Sequence, residues 1–247
     1  MKVLALIIAL LLPTIASADP VCTSVGTAAS ELGSGAILTV PNVTVPSSSG
    51  YLVAMFAYRS RTITVTSVVR AGQTFTVIGS KVDADDQLST KMYRYKNPTV
   101  STADVVITLS GTLTGSGAAG ILFCTGVDQS TSEGTVQTAE ADTGDLGVTV
   151  SSATGELVIS VGAKNDGANQ PVAINADDET VLFNVTSTAG TGLDVVVAGS
   201  YQAGAASVEM LWGGTNNPMG VIGIPLKAAP PPDPITSTRQ RQVMILP

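Results

Sequence analysis

Apolar and polar positions alternate in short blocks along most of this chain, and one block breaks the alternation. Ala118-Ala-Gly-Ile-Leu-Phe-Cys-Thr-Gly-Val-Asp128 is a continuous apolar run closed by a glycine turn. A strand buried on both faces, or at the centre of a sandwich, reads this way. Residues 51–58 form another apolar run without helical caps, and residues 156–161 a third. Around them, residues 36–45 read as extended, with Pro41 confining them to an edge or a bend. Residues 62–69 alternate and are rich in β-branched side chains, which lose less in a strand than in a helix. Ala71-Gly72 turns that segment back into residues 74–78 and predicts a hairpin. Further strands are expected over residues 88–95, 104–109, 180–185, 193–201, 206–212 and 219–227. Nothing shows capped helical periodicity. Strands recurring about every 10 residues and joined by turn formers predict an all-β chain, a single antiparallel β-sandwich of jelly-roll-like form.

The two ends differ from this middle. Lys2, the short apolar core 3–12 and Ala16-Ser-Ala18 give residues 1–18 the form of an export signal, with an apolar stretch too short to span a bilayer. After Lys227 the composition changes to Ala-Ala-Pro-Pro-Pro-Asp-Pro234, a semi-rigid spacer. The expected organisation is a signal at 1–18, a sandwich domain at 19–227 and a Pro-rich linker and tail at 228–247. The tail ends in Arg239, Arg241 and the apolar Val243-Met-Ile-Leu-Pro247. It reads either as a disordered end or as a strand that adds to a neighbouring molecule, giving self-association.

Composition narrows the partners. The charged fraction is 13% against 44% hydrophobic, so Thr, Ser, Asn and Gly must cover much of the surface. A net charge of -7 disfavours nucleic acid and anionic lipid, which need a cationic face. Cys22 and Cys124 are the two cysteines of a chain expected in an oxidising compartment. Their pairing as a disulfide would contribute roughly 3 to 5 kcal/mol; the alternative leaves Cys124 as a small buried hydrophobe and Cys22 free.

The absence of histidine removes Ser-His-acid and Cys-His mechanisms and imidazole zinc sites, and two cysteines cannot build a four-thiolate site. A carboxylate pair of the glycoside-hydrolase kind is the surviving catalytic option. No such pair stands out beside aromatic residues, and no enzymatic activity is expected. Asp83, Asp85 and Asp86, and Asp177-Asp-Glu179, offer hard oxygen ligands for calcium, with turn formation as the competing role. Tyr93 and Tyr95 share one face of a strand, and with Trp212 they are the candidate stacking surface for a glycan. Each also suits a packing role.

The motifs Gly50-Tyr-Leu-Val-Ala, Val69-Arg-Ala-Gly-Gln-Thr-Phe75 and Met92-Tyr-Arg-Tyr-Lys-Asn-Pro98 recur in order with Phe123-Cys-Thr-Gly-Val-Asp-Gln129, Ser152-Ala-Thr-Gly-Glu-Leu-Val158 and Gly204-Ala-Ala-Ser-Val-Glu-Met-Leu-Trp212. Taken together the chain resembles a group of bacterial secreted, cell-surface and phage-associated β-sandwich modules. The resemblance implies a jelly-roll-like fold and a structural, adhesive or glycan-contacting role outside the cell, and it carries over no catalytic residue. The first expectation is therefore a secreted, non-enzymatic structural or adhesive protein contacting a glycan or surface protein. A carbohydrate-binding module is the second and a glycoside hydrolase-like enzyme the third.

Overall fold

The structure, a computed structural model, describes residues 18–30, 35–60, 62–83, 88–113, 115–166, 173–174, 179–187, 194–213 and 218–231. Residues 1–17 of the expected signal, Asp85, Asp86, Asp177, Asp178 and the tail from Pro232 lie outside the described residues. Every regular element within them is a strand: β1 (Val21–Ser30), β2 (Ile37–Val45), β3 (Tyr51–Tyr58), β4 (Val65–Arg70), β5 (Gln73–Thr74), β6 (Thr76–Val82), β7 (Ser89–Lys96), β8 (Ser101–Leu109) and β9 (Gly117–Thr125). The second half continues with β10 (Gln137–Ala141), β11 (Leu146–Val150), β12 (Leu157–Asp166), β13 (Ala173–Ile174), β14 (Thr180–Thr186), β15 (Asp194–Ala203), β16 (Val208–Gly213) and β17 (Met219–Leu226). All pairings are antiparallel.

The strands form four sheets, in the orders β1-β9-β3-β7-β6, β2-β8-β4-β5, β10-β17-β12-β15-β14 and β11-β16-β13. Burial along each strand tells which layer it occupies. The strand β2 alternates exposed and buried positions on either side of its bulge, as a sheet with one wet face must, whereas β3 and β17 are buried at every position. Sheets holding β3 and β17 are therefore inner layers. One apolar layer joins β3 and β9 to β2 and β8 through Leu52, Phe56, Ile121, Val40 and Ile107. A second joins β12 and β15 to β11 and β16 through Val158, Val196, Val148 and Trp212. The third lies between the two inner sheets, where Val53, Met55 and Leu122 meet Ile159, Val161 and Ile224. Each fully buried side chain of this size contributes about 1.5–3 kcal/mol relative to an exposed one. The expected single two-layered sandwich is corrected accordingly: the chain builds two sandwiches back to back, because continuous apolar strands need cover on both faces.

The halves are copies of one plan. Tyr51 faces Lys96 and Cys124 across its neighbours, as Leu157 faces Ala203 and Leu226, which makes β3 correspond to β12, β7 to β15 and β9 to β17. Thr76-Val-Ile78 corresponds to Thr180-Val-Leu182, and in both the third residue is bulged out of the ladder. Beyond each bulge the same turn lock recurs. Asp83 N–H donates to the Leu88 carbonyl while Asp83 Oδ2 accepts from Leu88 N–H at 2.7 Å. Ser187 and Val195 repeat this, with Ser187 Oγ accepting from Val195 N–H at 2.8 Å.

Where the inner sheets touch, the copies differ in size. Gly120 leaves room for the Phe183 ring and Gly79 for the Ile222 side chain; a Cβ on either glycine would collide with its partner. Gly120 corresponds to Ile222 and Gly79 to Phe183. At these two points the first half supplies the hollow and the second the projection, and at Gly220 the roles reverse, its hollow taking Thr90 of the first half, so the interface closes in one arrangement.

Candidate functional site

The clearest cluster of polar side chains beside an open cleft gathers Tyr51, Arg94 and Glu133. Tyr51 opens β3, where alternation turns it toward the inter-sheet layer, and it is fully buried. Arg94 projects from β7. Glu133 belongs to the segment that carries the chain from one half to the other, fixed by its bridge to Leu226 and by Gly134 N–H donating to the Pro225 carbonyl at 3.1 Å. Arg94 Nε lies 2.8 Å from Glu133 Oε1, and Tyr51 OH donates to the same oxygen. Burial above all, then the Glu133 carboxylate, drives the Tyr51 phenol above its ordinary range and keeps it protonated. Arg94 and Glu133, but not the buried Tyr51, line a cleft of about 220 Å³ together with Val77, Ile78, Val136 and Ile224.

This arrangement is a charge-assisted clasp. One carboxylate oxygen receives two donors from the first sandwich, so the connecting segment is held against β3 and β7. The phenol keeps its proton at neutral pH, and the guanidinium is committed to the carboxylate. By pairing position Glu133 stands where Cys22 stands in the first half, because Glu133 faces Leu226 as Cys22 faces Cys124. Cys22 and Cys124 are bonded, with Cα atoms 4.1 Å apart, and they pack in the inter-sheet layer. One copy is thus closed covalently at the point where the other is closed by an ion pair and a hydrogen bond. A disulfide is compatible with an oxidising, extracellular setting.

The sequence-derived candidates fall elsewhere. Trp212 is 0% exposed, packed in the second sandwich with its Nε1 donating to Ser160 Oγ at 3.1 Å. It presents no face to a glycan. Tyr93 stacks on Phe56, ring centroids 5.6 Å apart, and Tyr95 lies 5.8 Å from Phe75, both against the first sandwich's core. The structure therefore places the tyrosines and Trp212 in different cores and brings no shared platform together. Asp83 is buried in its turn lock, and among the described residues no group of three or more His, Cys, Asp or Glu is arranged around a metal. Glu179 accepts from Ser200 Oγ and from Leu211 N–H, each at 2.6 Å.

Sequence reasoning missed the clasp. Its one signal was parity: Arg94 shares with Met92 the face of β7 opposite the tyrosines, and a charge on a core-facing position needs a partner. Glu133, alone among Ser, Thr and Gly in the connecting segment, offered no local pattern. The chain matches no protein-family model, no curated protein and no solved structure.

Proposed function

We propose that this chain is a secreted, non-enzymatic structural or adhesive surface protein built on a duplicated jelly roll. Supporting the jelly-roll reading is the strand order of the first half, β1-β9-β3-β7-β6 over β2-β8-β4-β5, in which sequential strands cross between two sheets as in a pair of interwound Greek keys. The observation that carries the functional reading is the build of the inner layers: two sandwiches joined over a continuous apolar layer, the first closed by the Cys22–Cys124 disulfide, with the uncharged strands β1 and β14 at two of the sheet edges. Such a body suits bearing load and making contact outside the cell. The export signal expected from the sequence at 1–18 and the resemblance to secreted and phage-associated modules point the same way.

The test has two arms. Surface biotinylation of intact cells or particles of the source should label the protein with its cysteines oxidised, and a panel of chromogenic glycosides, esters and peptides should show no turnover by the purified chain. Retention inside the cell with reduced cysteines, or turnover abolished by an acidic-residue substitution, would overturn the reading.

A further inference from the structure

Two open flanks of the double sandwich correspond by the copy relationship, and they are protected differently. On one flank β6 and β10 lie together, and Lys81 Nζ sits 3.3 Å from Glu140 Oε1 between them. Charges on edge strands keep other chains from adding. On the opposite flank β1 lies against β14, and neither strand carries a charged residue or a proline. At 10 residues β1 is the longest edge strand of the described residues. Its disulfide to β9 holds it in place, Val21 is 58% exposed, and Thr23, Ser24 and Thr27 are exposed along it. Apart from the register break between Ser24 and Gly26, β1 is an uncharged strand at a sheet edge, a template for strand addition.

We infer that β1 accepts the C-terminal segment, residues 235–247, of a second copy of this chain. Three observations select that occupant. The segment joins an apolar run, Val243-Met-Ile-Leu246, to Arg239 and Arg241, and its only acidic neighbour is Asp233, whereas Asp and Glu dominate the body; the tail and the body carry opposite charge. The described chain leaves the body beside the start of β1: Ala229 N–H donates to the Gly126 carbonyl, and Gly126 lies against Asp19. There residues 227–229 run antiparallel to residues 126–128. Pro230, Pro231, Pro232 and Pro234 make the spacer ahead of the segment stiff and extended, which favours reaching another molecule over folding back. Beyond it, 13 residues of extended chain reach about 40 Å, more than the length of β1. The contact joins two different patches, so it repeats head to tail and builds rings or filaments.

This deepens the surface reading and rests on it for the compartment alone. The experiment is sedimentation velocity on the chain from Asp19 to Pro247 over a range of concentrations. A concentration-dependent series of oligomers is expected. Thr23→Lys combined with Thr27→Lys, which places on β1 the kind of charge that guards the other flank and repels Arg239 and Arg241, should return the chain to monomer with an unchanged melting temperature. Val181→Lys on β14 should leave the oligomers intact. A synthetic peptide of residues 235–247 in excess should dissociate them. A monomer at every concentration overturns the inference, and so do oligomers that survive both the β1 lysines and the peptide. Surface labelling and the absence of turnover would be untouched by either result, so this inference fails separately from the proposed function.

Discussion

In the first sandwich Phe56, from the inner sheet, fills the space in front of the outer sheet and stacks on Tyr93. At the corresponding place in the second sandwich the inner sheet has Gly162 and Ser200, and the space is filled from the outer sheet by Trp212, whose ring lies where a Cβ on Gly162 would be. The indole brings a polar atom with it. Trp212 Nε1 donates to Ser160 Oγ, which is 2.8 Å from Ser200 Oγ, and Ser200 Oγ donates to Glu179. One copy solved its packing with two aromatic rings, and the other with one ring and a hydrogen-bonded chain that must be complete to be stable. The same backbone plan therefore tolerates different fillings, provided that each volume is matched across the layer.

Breaking the covalent closure should have the largest effect, and on the first copy. Cys22→Ser with Cys124→Ser removes a cross-link spanning 102 residues, for which the chain-entropy account gives a loss of about 4.7 kcal/mol. Denaturant titration measures it. Hydrogen exchange should show β1 and β9 opening first while β12 and β15 keep their protection. Equal loosening of both copies would show that the inter-sheet layer couples them into one cooperative unit.

The interface between copies comes next. Gly120→Val places branched carbons against Phe183 between two buried sheets, and overpacking of this kind costs about 1–3 kcal/mol or more. Adding Phe183→Ala should recover much of the loss. If the second change instead adds to the first, the hollow and the projection are not partners.

These elements also mark how far the sequence could be read. Most strands were legible, because β-branched runs are separated by Gly, Asn, Asp and Pro turns; β3 falls on the expected residues 51–58. The runs at Tyr51 and Ala118 also announced burial on both faces, which two layers cannot supply to a whole strand. The copying was hidden because the halves share short matches, such as Thr76-Val-Ile78 with Thr180-Val-Leu182, while the residues that fit them together are opposites, Gly120 against Ile222 and Gly79 against Phe183. The strands β1 and β10 went unread, since Ala, Gly, Ser and Glu dilute their pattern, and β11 was passed over although Leu146, Val148 and Val150 alternate along its five residues. The clasp was illegible, because Tyr51, Arg94 and Glu133 meet through strand pairing and not through spacing.

In the second copy, Trp212→Phe keeps most of the ring but removes the donor to Ser160, for an expected loss of about 1–2 kcal/mol. The pH dependence of the same chain gives a finer test. Burial pushes the Glu179 carboxyl above its ordinary value of 4.5, outweighing the hydrogen bonds from Ser200 and Leu211 that act the other way. The fold therefore favours the protonated carboxyl. Its contribution is fully present below about 4.5 and is lost as pH rises through the raised value. Denaturation midpoints of the parent chain should fall relative to Glu179→Gln between mild acid and neutrality, and parallel curves would remove Glu179 from the account.

The smallest expected effect lies in a turn that the second copy lacks among its described residues. Ala71 and Gly72 join β4 to β5 with φ of 48° and 77°. A two-residue hairpin with both central residues in this region is a type I′ turn, which favours Asn before Gly. Alanine at the first position holds its Cβ close to the following carbonyl, at a cost that asparagine escapes in part by local hydrogen bonding. Ala71→Asn should therefore stabilise the first copy by about 0.5 kcal/mol, a gain visible as a raised denaturation midpoint with an unchanged slope. A loss would mean that β5 and Phe75, where the chain passes from the outer sheet to the inner one, set the turn's geometry instead of the turn residues themselves.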